Sequence, residues 1–162
     1  MNISTEPVLV HYKITKLAVV FALVGTMMIV VPMLIGHAQA FTVGVARVTT
    51  GGFHFTNLKW HLDRGQWVHK PKIVAGTTID WETRGRSGPE KGTVAADLTS
   101  VLTGKVIGQA RFFWSNPLFV KNSCDTVTSS SNPDFRVSSF PCHITSGNFA
   151  TATYQVNVRE ID

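Results

Sequence analysis

The residues with chemistry to offer are few and far apart. Asp80 and Glu82 lie two positions apart in a stretch that alternates like a strand, so they share a face and form the kind of carboxylate pair that glycoside hydrolysis uses. Arg84 continues the same face, and a solvated, charge-balanced sheet surface explains all three residues without catalysis. His54, His61, His69 and His143 are dispersed along the chain and read as surface or strand residues. The segment Gly85-Arg86-Ser87-Gly88-Pro89-Glu90-Lys91-Gly92 has the glycines of a phosphate loop, but it lacks the Gly-Lys-Ser/Thr ending, and no helical pattern follows it. Neither a Gly-x-Ser-x-Gly elbow nor a His-Glu-x-x-His pair occurs. Two cysteines and His143 do not make a zinc spacing. The expectation is a protein that binds rather than catalyses, with no catalytic residue, metal or cofactor assigned.

The aromatic residues carry more information. Trp60, Trp67, Trp81 and Trp114 join Phe112, Phe113 and Phe119, many large rings for a small domain. Trp81, Phe112 and Trp114 fall on the apolar side of alternating runs and are expected in the core. Trp67 follows the turn signal Asp63-Arg64-Gly65, and Phe119 follows Asn116-Pro117, which places both on loops. For these two rings, core packing and a membrane interface both satisfy an amphipathic aromatic, and both readings stand.

These side chains must be positioned by strands. Ile79, Trp81 and Thr83 share one face of the run from Thr77 to Arg84, with Thr78, Asp80, Glu82 and Arg84 opposite. In the run from Lys105 to Trp114 the apolar face is Val106, Ala110, Phe112 and Trp114, while Ile107 and Phe113 make the other face mixed. The last strand sets Ala150, Ala152, Tyr154, Val156 and Val158 against Thr151, Thr153, Gln155, Asn157 and Arg159. Period-two alternation marks strands with one wet face. Turn signals at Thr49–Gly52, Asp63–Gly65 and Lys70–Lys72 separate further short strands, including one over Phe135–Phe140. No stretch after residue 40 has a helical period. The expected fold is all-β, a single-domain antiparallel β-sandwich.

Residues 1–40 differ from the rest. Lys13 and Lys16 precede an apolar run from Leu17 to Ile35 that ends in His37-Ala38-Gln39-Ala40, the parts of a secretory signal with cleavage after Ala40. The alternative is a retained anchor, because the run approaches the length that spans a bilayer. Pro32 and the Ala-Gln-Ala site favour cleavage, and residues 41–162 are then an exported domain. Removing Lys13, Lys16 and Glu6 takes the net charge from +5 to +4. A basic balance suits lipid headgroups, nucleic acid or acidic glycans, but the charges are scattered without a Lys/Arg run, which reads as ordinary solubility. In an oxidising compartment, Cys124 and Cys142 are expected to form one disulfide around the Ser129–Pro133 segment.

Several short motifs in order resemble the aegerolysins, small β-sandwich proteins that bind membrane lipids. They are Asn57-Leu58-Lys59-Trp60, the Asp63-Arg64-Gly65 turn, Gly85-Arg86-Ser87, Gly92-Thr93, Ile107-Gly108, Trp114-x-x-Pro117 with Asn122, and the strand from Gly147 to Arg159. Two departures concern the loops where lipid preference would be set. Ser115-Asn116-Pro117-Leu118-Phe119 stands where the family has Asp-Cys-Pro-Trp-Gly, and Lys91 where many members carry an acid before Gly-Thr. The particular lipid is therefore not carried over. Many aegerolysins also lack a signal sequence. The resemblance implies a secreted module that recognises headgroups in sphingolipid- and sterol-containing membranes. It also implies oligomers on those membranes, a larger perforin-like partner in pore formation, and no nucleic-acid partner. For such a role Arg84 or Arg86 would hold a phosphate by a bidentate pair, Lys91 and Lys121 would add point charges, and Trp67 and Phe119 would anchor in the interface. A secreted carbohydrate-binding or protein-docking sandwich is the competing reading, since fold does not decide function.

Overall fold

The computed structural model describes residues 39–85 and 88–161. The expected leader lies outside them apart from Gln39 and Ala40. Ala40 is already part of the folded domain. It is buried, its N–H donates to Gly88 O, and its carbonyl accepts from Gly85 N at 2.7 Å.

Ten strands follow. They are β1 (Phe41–Val48), β2 (Phe53–Arg64), β3 (Gln66–Val74), β4 (Thr78–Arg84), β5 (Glu90–Ser100), β6 (Val106–Asn116), β7 (Ser123–Ser130), β8 (Phe135–Ser139), β9 (His143–Ile144) and β10 (Phe149–Glu160). One sheet has the order β3-β4-β1-β10-β8, with β9 also on β10, and the second has the order β2-β5-β6-β7. The two sheets pack face to face as a sandwich. All pairings are antiparallel except β1 with β10, which run parallel in register from Phe41↔Phe149 to Val48↔Val156. The sandwich is thus mixed rather than purely antiparallel, because the first and last strands lie side by side and point the same way.

Alternation becomes burial along each inner face. Ile79, Trp81 and Thr83 of β4, Val94, Ala96 and Leu98 of β5, and every second residue of β10 from Ala150 to Val158 are buried. At the centre Trp81 lies 5.3 Å from Trp114 and 5.7 Å from Tyr154, and Phe112 lies 5.2 Å from Tyr154, ring centre to ring centre. Tyr154 is anchored by donating its hydroxyl to Phe113 O at 2.8 Å, and burial, reinforced by the Asp125 carboxylate, pushes its pKa far up. Glycine makes room for the indoles, since a Cβ at Gly44 would stand 2.0 Å from the Trp81 ring.

Two expectations are corrected. Val106 is exposed and Ile107 buried, the reverse of the simple alternation. The pairing passes from Leu98↔Gly108 to Thr99↔Val106, so a bulge inserts one residue and flips the start of β6. Lys70-Pro71-Lys72 is not a turn but part of β3, an edge strand, where a proline costs little because the missing N–H faces no partner. The turn comes later, where Ala75 and Gly76 take positive φ of 53° and 73°. Cys124 and Cys142 form the expected disulfide, with Cα atoms 6.1 Å apart. It ties β7 of the second sheet to the segment between β8 and β9 of the first.

Candidate functional site

Register brings the sequence-predicted loops to one end of the sandwich. The end of β4, the start of β5, the end of β6 and the starts of β1, β7 and β10 all lie there. Phe41 pairs with both Arg84 and Phe149, Glu90 with Asn116, and Ser115 with Ser123. The loop between β4 and β5, the turn between β6 and β7 and the Gly65 turn between β2 and β3 therefore cap the same end.

Two asparagines hold this end together. Asn116 is fully buried, and its Nδ2 donates to Phe41 O at 3.1 Å, Thr42 Oγ1 at 3.3 Å and Asn148 O at 3.0 Å. Asn122 donates to Thr145 O and Gly147 O, both at 2.8 Å. The β6–β7 turn is thereby stapled to the first strand and to the entry of the last, and the apolar side chains between the two asparagines have no inward path. Phe119 is 91% exposed and Val120 71%. Phe149 is 78% exposed beside them on the first residue of β10, its ring 5.8 Å from that of Phe41.

Cations are exposed at the same end. Arg84, Lys91, Lys121 and Arg64 are all exposed. With its amide oxygen turned toward Arg84, Gln66 accepts from Nε at 3.2 Å and Nη2 at 2.7 Å, which fixes the guanidinium while leaving it solvent-facing. Arg86, the other expected phosphate ligand, lies outside the described residues. Trp67 is corrected. It belongs to β3, not a loop, and is partly buried with its ring edge-on to Trp114 at 5.9 Å. The strand resumes one residue after Gly65, too soon for a loop to form.

Beneath the cations lies a buried acid. Glu90 is fully buried, and neither carboxyl oxygen has a hydrogen-bond partner; nor does Oδ1 of its cross-strand neighbour Asn116. Burial raises the Glu90 pKa, and the nearby Thr42 and Thr83 hydroxyls oppose that rise without overcoming it. Asp80 and Glu82, the carboxylate pair considered for hydrolysis, are both taken up by β3. Lys72 Nζ is 3.7 Å from Asp80, and His69 Nδ1 is 2.5 Å from Glu82.

Sequence reasoning missed Phe149, Val120, Arg64 and Glu90. Phe149 was readable, being the one aromatic on the outward side of the last strand. Glu90 was readable too, because alternation along β5 puts it on the inward side with Val94, Ala96 and Leu98.

No family model and no curated protein matches the chain. Among solved structures it is similar to Nakanori, a lipid binding protein, with a TM-score of 0.52 and 12% identity over 72% of this chain and 70% of that one. What the two share is the all-β sandwich fold. Weaker likenesses are to RahU (TM-score 0.43, 12% identity, 76% of this chain and 96% of that one) and to the Xerocomus chrysenteron lectin XCL (0.42, 14%, 73% and 99%). At such identities the β-sandwich is a shared architecture, and the site has to be argued from this chain's own side chains.

Proposed function

We propose that the loop-bearing end of the sandwich binds membrane lipid. The observation that carries this reading is that Phe119, Val120 and Phe149, three large apolar side chains exposed by 71–91%, lie at the same end of the sandwich as the exposed cations Arg84, Arg64, Lys91 and Lys121. Exposed rings on a soluble domain with cations at the same end suit a membrane interface, where the ring enters the acyl boundary and the cations meet phosphates. Arg84 takes a headgroup phosphate, Lys91 and Lys121 add charge, and Arg86 joins them from the β4–β5 loop. Trp67 supports the site from beneath through Trp114 rather than entering the membrane. Sphingolipid- and sterol-containing membranes are the target class, binding precedes any pore, and a larger perforin-like partner makes the pore. The disulfide suits an oxidising, extracellular setting, where such a module is exported and cut before Phe41.

Sedimentation with vesicles of phosphatidylcholine, alone and with sphingomyelin and cholesterol, tests the reading. Full transfer of a phenylalanine side chain from water is worth about 1.5–3 kcal/mol. Phe119→Ala/Phe149→Ala should therefore weaken vesicle binding by roughly tenfold or more at an unchanged melting temperature. Wild-type protein that ignores every vesicle, or a double variant that binds them equally well, removes this end as a lipid site.

A further inference from the structure

We infer that the outer face of the four-stranded sheet is a second binding site, centred on Lys59 and Arg111 and meeting the lipid-binding end at Arg64 and Lys91, for a linear anionic polysaccharide bearing sulfate groups. Strand register places three rows of side chains on that face. Lys59, Ala95, Arg111 and Val127 form one row and His61, Thr93, Phe113 and Asp125 the next; Arg64, Lys91, Ser115 and Ser123 form the third. The partners on the inner side, Val94, Ala96, Phe112 and Trp114, are buried, so these rows face solvent. Lys59, Arg111, His61, Arg64 and Lys91 thus make a basic stripe across β2, β5 and β6. From Ala95 to Lys91 it runs about 13 Å at the usual rise of a strand.

Among the described residues, its lysines and arginines carry no ion pair: none of Lys59, Arg64, Lys91 and Arg111 forms one, whereas Lys72 and His69 of the other sheet are paired with acids. The acids near the stripe are engaged or displaced from it. Asp97 accepts from Asn57 Nδ2 at 2.8 Å and Gln109 Nε2 at 3.1 Å, Asp63 is 3.0 Å from His61, and Asp125 lies on the edge strand β7. The same network aims the arginine. Gln109, held by Asp97, accepts from Arg111 Nε at 3.0 Å and leaves both Nη groups without a partner.

The stripe also has a seat. A groove of about 260 Å³ opens between Lys59, His61 and Arg111 over Thr93, Ala95 and Gln109, with Trp60 on its rim and no acid in its lining. Small floor residues admit a sugar ring, Thr93 and Gln109 offer hydrogen bonds to hydroxyls, and Lys59 and Arg111 meet sulfates. Single-stranded nucleic acid would want several exposed rings for stacking. Here Phe113 is half-buried and Trp60 is a single exposed ring at the groove's rim, so a glycan fits better.

Calorimetric titration of the intact domain with a heparin-derived hexasaccharide at low salt tests the site, since polyanion binding weakens as salt rises. Lys59→Ala/Arg111→Ala removes two charge-assisted contacts and should weaken binding roughly tenfold or more. Lys70→Ala/Arg136→Ala removes the same charge from the other sheet and should leave binding within about twofold, as exposed charges away from a site do. Both variants should melt with the wild type, and the desulfated hexasaccharide should not bind. Equal losses in the two double variants would reduce the effect to net charge. Absence of binding to the sulfated probe, or tighter binding of a thymidine oligonucleotide, would overturn the proposal.

Discussion

Glu90→Gln is the substitution with the sharpest expected signature. The wild-type carboxyl group is fully buried without a hydrogen-bond partner, and its cross-strand neighbour Asn116 carries another buried acceptor without a partner, Oδ1. Charged side chains on the neighbouring strand ends, Arg84, Arg64 and Lys91, are exposed and point away. Protonation removes the buried charge; ionisation keeps it in place, opposed only by the nearby Thr42 and Thr83 hydroxyls. Burial raises the native pKa above the ordinary 4.5, so the native state holds a proton that the unfolded chain releases. The contribution is therefore complete below the unfolded value and is lost as pH rises through the raised native value. Glutamine keeps the shape and brings a permanent donor. Above the native pKa it should stabilise by about 1–3 kcal/mol, the cost of an unsatisfied buried polar group. At roughly 4 °C per kcal/mol for a domain of this size, the melting temperature should rise by about 4–12 °C. Thermal melts of both proteins from about pH 4 to about pH 9 should converge at the acid end and separate as pH rises. A wild-type melting temperature that climbs with pH, or a Glu90→Gln protein that is less stable at neutral pH, would refute the reasoning and mean that the carboxylate is the stabilised form.

Two further substitutions follow from packing. Trp67→Ala should cost roughly 2 kcal/mol in denaturant melts, about half the loss of a fully buried aromatic, because its ring is partly buried edge-on to Trp114; no loss of stability would return it to a loop role. Replacing Cys124 and Cys142 by serine should destabilise the domain by about 3 kcal/mol, as a crosslink at this separation of 18 residues does on the chain-entropy model, measured by urea unfolding. Mass spectrometry of unreduced protein should find no alkylatable thiol.

Much of the architecture was written locally. Period-two alternation announces which side of a strand is apolar wherever the strand is regular, and so Ile79, Trp81, Phe112, Trp114 and the inner face of β10 were legible as core. Glycines at Gly52 and Gly65 marked turns because positive φ suits a residue without a side chain. Two cysteines in a chain read as exported left one pairing to expect. Alternation is blind to what happens across strands. It could not show that β1 and β10, more than a hundred residues apart, run parallel, nor that a bulge opposite Leu98 exchanges Val106 for Ile107.

The candidate sites divide in the same way. Residue type and turn position pointed to Phe119 and Lys121, which share one turn. Trp67 was misplaced because a strand can restart immediately after a glycine turn. Phe149 joins Phe119 only through the pairing of β10 with β1 and the asparagine staples, contacts that no window of sequence contains. Charges that look scattered along the chain become a stripe once β2, β5 and β6 lie side by side, since neighbouring strands sit about 5 Å apart whatever their distance in sequence. Sequence determined which side chains were available and which way each strand faced. Tertiary pairing decided which of them meet, because the partners of a strand are chosen by the whole core rather than by its own residues.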